Sequence, residues 1–160
     1  MTAKSPEIIP DGEPRTALFA GSFDPFTIGH ASIVSRALSL FDRIVIAVGV
    51  NMAKTSVDEV SRRVEAIAAL YADEPRVTVT HYEGLTVDMA ARCGARWLLR
   101  GVRSVKDFEY ERDMADINRQ LSGLETILLY SLPEHAAVSS SIVRELRAYG
   151  RDVSDYLPGK

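Results

Sequence analysis

Cysteine is nearly missing from this chain of 160 residues: Cys93 stands alone. One thiol excludes a disulfide framework and a cysteine-based zinc site, and a reducing cytoplasm is the simplest compartment. No apolar run approaches the roughly 20 residues that a membrane-spanning helix needs. The first sixteen residues carry Lys4, Pro6, Pro10, Gly12 and Pro14 but no apolar core of a secretory signal. They read as a loose arm (1–16) ahead of one domain (17–160). An excess of positive charge is missing too: the formal net charge is -3, which argues against nucleic acid as a partner. Repeats and low-complexity stretches are absent. So are the P-loop spacing, the three-glycine dinucleotide fingerprint, and any nucleophile beside an activating base.

What is present is an alternation of strand and helix signals. Short apolar runs at 17–20, 43–50, 77–82, 97–99 and 125–131 read as five strands. The second is apolar almost throughout, as expected of a strand buried on both faces of a parallel sheet. Helical periodicity falls between the runs, from the opening loop to about Phe41, from Val60 to Tyr71, over 85–93, over 105–121 and from Ile142 to Tyr149. Gly94 and Gly123 sit where helix C-caps belong. In the fourth helix Tyr110, Met114, Ile117 and Leu121 form the apolar stripe. In the last, Ile142, Val143, Leu146 and Tyr149 are expected to point inward. The pattern predicts one α/β domain with a five-stranded parallel sheet and helices on both faces.

The segment around which the chain is organised is Gly21-Ser22-Phe23-Asp24-Pro25-Phe26-Thr27-Ile28-Gly29-His30. It reads as strand, tight loop and helix start, at the carboxyl end of a parallel strand where ligands usually sit. A helix start offers free N–H groups and a positive dipole end, the natural host of a phosphate. His30 adds a donor able to carry charge near neutral pH. Lys54 follows the second strand, Arg100 and Arg103 the fourth, and Ser139, Ser140 and Ser141 the fifth. Cations and helix starts converging on one crevice suit phosphoryl or nucleotidyl transfer by positioning and charge stabilisation. Each piece also has a plainer use. Ser139 and Ser140 suit helix capping, and Lys54 suits a solvated surface. Arg100 and Arg103 could pair with Asp107, Glu109 or Glu111, and Gly29 could serve packing alone. Asp24 reads as a brace that bonds backbone N–H groups of the loop. His81 and His135 read as structural or solvent-facing, and Cys93 as a small buried residue.

Taken together, Thr27-Ile28-Gly29-His30, Arg100-Gly101-Val102-Arg103 with Asp107 to Glu111, and Val138-Ser139-Ser140-Ser141 resemble the bacterial phosphopantetheine adenylyltransferases. The resemblance runs from about Ala17 to Pro158. It implies a Rossmann-like fold and a reaction of ATP with 4′-phosphopantetheine, using Mg2+, that yields dephospho-coenzyme A and pyrophosphate without a covalent enzyme intermediate. Carried over by position, it implies that Ser22 touches both substrates and that His30, with Lys54, stabilises the transition state. Lys54 and Arg100 would grip the acceptor phosphate, with Thr86 lining that pocket. Phe23, Gly101, Val102, Arg103 and Glu111 would contact ATP, and His135, Ala136, Ala137, Val138 and Ser139–Ser141 would wrap the nucleotide. The metal would be held mainly by ATP oxygens, and the family assembles as a hexamer of two trimers. Two stretches depart from the family pattern, Asp58-Glu59-Val60-Ser61-Arg62-Arg63 and His135-Ala136-Ala137. Alternatives are a nucleotidyltransferase with another phosphorylated acceptor and a nucleotide-binding module without catalysis.

Overall fold

A computed structural model describes residues 10–51 and 53–159. Its centre is a five-stranded sheet made of β1 (Thr16–Gly21), β2 (Arg43–Gly49), β3 (Val77–Tyr82), β4 (Trp97–Val102) and β5 (Glu125–Tyr130). The strand order is β3-β2-β1-β4-β5, and every pairing is parallel. Successive residues of a strand point to opposite faces, so β1 and β2 feed two cores. Ala17, Phe19, Ile44, Ile46 and Val48 pack with Val34 and Ala37 of α1 (Ile28–Ala37) and Val60 and Ile67 of α2 (Val57–Leu70). Leu18, Ala20, Val45 and Ala47 pack with Val87, Met89 and Ala90 of α3 (Thr86–Cys93). That double burial is the physical reason for the near-continuous apolar run in β2.

The order places β1 and β4 side by side in the middle, with the chain crossing over in opposite directions from them. A crevice therefore opens at their carboxyl ends. A third, smaller cluster joins Val138, Val143 and Val153 to Ile28 and Leu146. It clamps the start of α5 (Ser140–Ala148) against the start of α1, so two helix N-termini face the same crevice.

Several expectations are corrected. α1 ends at Ala37, four residues short of Phe41, which is buried in the following turn. β4 runs on to Val102, so Arg100 and Gly101 are strand residues rather than loop residues. A Cβ on Gly101 would lie 3.2 Å from the Ile33 side chain, so glycine allows α1 to pack tightly on β4. The apolar stripe read on α4 (Val105–Ser122) is present, and it faces outward. Tyr110, Met114, Ile117 and Leu121 are exposed, and the one buried residue of the helix is Glu111. The helix packs on β4 and β5, where Glu111 of its charged face meets Arg100. In α5, Val143 is buried and Leu146 packs beside it, but Ile142 and Tyr149 are exposed. Gly94 and Gly123 do terminate their helices in left-handed conformation. Of the N-terminal arm, residues 1–9 lie outside the described residues. Arg15 is tied to Asp42 and Glu13 to Arg96, and Thr16 already belongs to β1. No helix among the described residues is long and apolar enough to cross a membrane.

Candidate active site

The crevice between β1 and β4 has a volume of about 310 Å³. Ser22 and Phe23 line it from the first loop, His30 from the start of α1, Arg100, Gly101 and Arg103 from β4 and its end, and Val138 and Ser139–Ser141 from the start of α5. Most of the residues singled out in the sequence thus meet in one place, together with Thr27, Gly29 and Ser131.

His30 is fixed by a reciprocal cap. Thr27 is the N-cap of α1, its hydroxyl accepting from the His30 N–H, while His30 Nδ1 accepts from the Thr27 N–H at 2.9 Å. In this arrangement histidine takes the N3 position that glutamate or glutamine fills in an ordinary capping box. Because the backbone N–H can only donate, the neutral ring carries its proton on Nε2. The ring packs among Phe19, Phe23 and Phe26, with Phe23 edge-on at a centroid distance of 5.1 Å. Burial, then the charges of Arg100 and Arg103, push its pKa down to about 4. The donor read from the sequence thus sits where burial and two guanidinium groups favour the neutral ring, with Nε2–H as its free donor.

Phe23 has φ of 45°, in the left-handed region, and its ring lies over Gly21, where a Cβ would sit 3.2 Å from the ring carbons. The Asp24–Pro25 peptide is cis. Asp24 braces this turn through its carboxylate, 3.3 Å from Nη2 of Arg63, and not by accepting from loop N–H groups as the sequence suggested. Ser139 caps α5 by accepting from the Ile142 N–H at 3.2 Å, and the Ser140 hydroxyl donates to the Pro25 carbonyl at 2.8 Å. The capping use of Ser139 and its position on the crevice wall coexist.

Arg100 stands between this crevice and a second chamber of about 140 Å³. Its Nε and Nη2 donate to the two Glu111 oxygens at 2.9 and 2.7 Å, and Nη1 donates to the Ala20 carbonyl. Burial works against the guanidinium charge and Glu111 more than offsets it, so the Arg100 pKa is raised. Three of its five N–H groups are used, which leaves two for a ligand. Thr86, Glu111, Leu18, Leu98, Tyr110, Met114, Asn118 and Thr126 line the second chamber, and Thr86 shares a hydrogen bond of 2.8 Å with Tyr82. The Thr126 hydroxyl is buried with no partner among the described residues. Arg103 is exposed, with Asp107 3.5 Å from its Nε and accepting from its N–H at 3.1 Å.

Other residues named from the sequence lie apart. The Val102 side chain is buried in the sheet. His135, Ala136 and Ala137 belong to a 3-10 turn (Pro133–His135) and the residues after it, outside the crevice wall. Lys54 is exposed on the turn after β2, its N–H donating to the Asn51 carbonyl at 2.9 Å, and it does not line either chamber. The atypical stretch beyond it lies in the first turns of α2. Ser56 is its N-cap and Glu59 closes the capping box, so the helix begins before Asp58.

Sequence reasoning passed over Thr27 as the partner of His30, and Tyr110, Met114 and Asn118 as chamber residues. The capping-box spacing Thr27–His30 is a usable signal for the first. Nothing in the sequence marks the others, because they touch the chamber only through the packing of α4 on β4.

An α/β sheet with cations and two helix starts at its central switch point defines a nucleotide-handling protein. Residues 18–146 match the family model described as cytidylyltransferase-like, and the chain belongs to that family. Within it the chain is similar to proteins named phosphopantetheine adenylyltransferase. The one from Bacteroides fragilis is 51% identical over 144 residues, covering 90% of this chain and 96% of the relative. That from Porphyromonas gingivalis is 55% identical over 142 residues, covering 89% and 93%. The resemblance read from the motifs is thus borne out. A crystal structure of a bifunctional NMN adenylyltransferase/ADP ribose pyrophosphatase from Francisella tularensis shares the fold. Its TM-score is 0.65 at 14% identity, covering 91% of this chain and 45% of that one.

Proposed function

We propose that the chain transfers the adenylyl group of ATP to 4′-phosphopantetheine, giving dephospho-coenzyme A and pyrophosphate in coenzyme A biosynthesis. The observation that carries this reading is the pair of adjoining chambers whose common wall includes Arg100 and Ala20. The larger one has hydroxyls, an Nε2–H donor, Arg103 and two helix starts, a set suited to a triphosphate. The smaller one is apolar along Leu18, Leu98 and Met114, with the polar groups of Thr86, Asn118 and Thr126 interspersed. That suits a slender acceptor with amides along its length and a phosphate at the Arg100 end.

In the proposed step an oxygen of the acceptor phosphate attacks the α-phosphorus of ATP. The bond from that phosphorus to the bridging oxygen breaks, and pyrophosphate leaves with the electron pair. The acceptor oxygen is already anionic, so no base is required. The difficulty is to hold two polyanions together, and fixed donors meet it without reorganising. His30 donates from Nε2 to the phosphate where charge builds, Ser22 contacts both substrates, and Ser139–Ser141 and Arg103 hold the nucleotide. Phe23, Gly101 and Val102 are read as further ATP contacts, Val102 through its backbone. His135, Ala136 and Ala137 are read as nucleotide contacts and Glu111 as an ATP contact that also orients Arg100. Lys54 is assigned to the acceptor phosphate, which its long side chain would have to approach when substrates bind.

Magnesium is read as arriving with ATP, as part of the substrate. The crevice wall carries hydroxyls, guanidinium groups and an imidazole, and the nearby carboxylates of Asp24, Asp107 and Glu111 are engaged by arginines. Such a donor set binds phosphate oxygens rather than caging a divalent cation. Assembly as a hexamer of two trimers is supported by the exposed apolar face of α4 together with Tyr130 of β5. A cytoplasmic site of action accords with the single cysteine and with ATP as substrate.

The test is pyrophosphate release and product analysis with MgATP and a panel of phosphorylated acceptors. Best turnover on 4′-phosphopantetheine is expected. Best turnover on nicotinamide mononucleotide or another acceptor would replace the assignment, and tight ATP binding without any transfer would favour a non-catalytic module.

A further inference from the structure

The turn that carries Ser22 and presents Phe23 to His30 does not hold its own shape. Phe23, a bulky residue at φ of 45°, occupies a conformation that non-glycine residues adopt only when their surroundings impose it. Its carbonyl neighbours show what imposes it. On one side Arg63 of α2 donates from Nη1 to the Ser22 carbonyl at 3.3 Å and pairs through Nη2 with the Asp24 carboxylate at 3.3 Å. On the other side Arg144 of α5 donates from Nη1 to the Asp24 carbonyl and from Nη2 to the Ser141 hydroxyl at 3.2 Å. One guanidinium thus spans the strained residue from Ser22 to Asp24, and the second ties the same turn to the serine cap.

We propose that Arg63 and Arg144 are positioning residues for adenylyl transfer, gripping the Ser22–Asp24 turn from opposite sides so that Phe23 stays against His30. The inference rests on reading this crevice as the transfer site. The chemistry favours arginine at both positions, because a planar fork can meet two acceptors at once where an ammonium meets one. The Arg63 side chain is only 17% exposed, so its two contacts are held in a partly desolvated setting rather than at a mobile surface. The linkage also joins α2, which follows the Lys54 turn, to α5, which carries the nucleotide serines. The two half-sites therefore share one backbone element. If the turn relaxes, Ser22 and the Phe23 ring move together, and the Nε2–H of His30 loses its aim without losing its cap to Thr27.

The test compares wild type with Arg63→Met, Arg144→Met, Arg63→Lys and Arg144→Lys, each checked by circular dichroism and thermal melting. Steady-state turnover is measured with ATP and 4′-phosphopantetheine, and the His30 ring protons are observed by NMR. Each Met variant is expected to keep its fold and lose about 10-fold or more in kcat, with a smaller change in KM, the scale of a displacement of about 1 Å. The His30 ring protons should shift as the edge-on Phe23 ring moves away, and the Lys variants should recover part of the loss. Both Met variants turning over within about twofold of wild type, with unmoved His30 signals, would overturn the proposal. So would losses that follow unfolding and are not eased by lysine. Absence of transfer by wild type on every acceptor would instead remove the functional reading, and the His30 signals would still decide whether the two arginines set the turn.

Discussion

Arg100 and Glu111 face each other at two points, Nε to Oε2 at 2.9 Å and Nη2 to Oε1 at 2.7 Å, across the boundary between the two chambers. The Glu111 side chain is 9% exposed and the Arg100 side chain 34%, so the carboxylate depends on this one cation. Arg100→Ala should do more than weaken the acceptor: it leaves a buried carboxylate uncompensated, at a cost of about 3 kcal/mol. The double variant Arg100→Ala/Glu111→Gln should regain much of that stability while staying poor in acceptor binding. Urea unfolding of both, beside the acceptor KM, separates the two effects. Equal stability of the single and double variants would deny the dependence.

His30 titrates in acid in the free protein, with its pKa pushed down to about 4 by burial first and then by Arg100 and Arg103. The sign is fixed by linkage. Above the unfolded value of about 6.5 neither state binds the proton. As pH falls from there toward 4, the unfolded chain takes it up and the native state does not, so stability declines across that window and this contribution levels off below it. NMR titration should give an apparent pKa of about 4. Urea unfolding at pH 7 and pH 4.5 should lose less stability in His30→Gln than in wild type. A wild-type titration near 6.5 would contradict the burial argument.

Glutamine is the informative replacement because it is itself a capping-box residue. His30→Gln should hold α1 in place, whereas His30→Ala also removes the bond to the Thr27 N–H. Both should lower kcat by at least ~10²-fold, the scale of losing one transition-state donor. Only the alanine variant should in addition lose about 1 kcal/mol of stability through the cap. Near-normal turnover of the glutamine variant would relieve His30 of its role.

The two chambers should separate the substrates kinetically. Arg103→Ala, at the mouth of the larger crevice, should raise the KM for ATP chiefly. Asn118→Ala, on the wall of the smaller chamber, should raise that for the acceptor chiefly. Steady-state kinetics with each substrate varied in turn checks this, and the reverse pattern would exchange the chamber assignments.

An exposed row of Tyr110, Ile117 and Leu121 on α4 is a face that assembly would cover. Ile117→Glu should shift the protein to smaller species in light scattering after size exclusion, with the fold retained. An unchanged mass would move the interface elsewhere.

Much of this could be read along the chain. The doubly buried strand β2, the glycine caps at Gly94 and Gly123, and the strand–loop–helix run of Ser22–His30 are local patterns. They are set by side-chain period and backbone sterics, and they carried the sheet class and most of the crevice residues. The stripe of α4 is legible as an apolar face, but periodicity does not report what covers it. Arg100 was assigned to a loop because a charged residue at the end of a buried strand looks like the strand's end. Its pairing with Glu111, eleven residues further on, together with the Ala20 carbonyl, allows the charge to remain within β4.

By itself, then, the sequence determined the succession of elements and the glycine-, serine- and histidine-bearing helix starts at Ser22–His30 and Ser139–Ser141, because these follow from spacing within short segments. The tertiary structure alone decided that β1 and β4 are neighbours and that the His30 ring is buried beside Arg100 and Arg103, which favours its neutral form. It also decided that one strained turn is held from two helices. Each of these depends on residues far apart in the chain, through strand order, burial and the reach of guanidinium groups, none of which a local pattern contains.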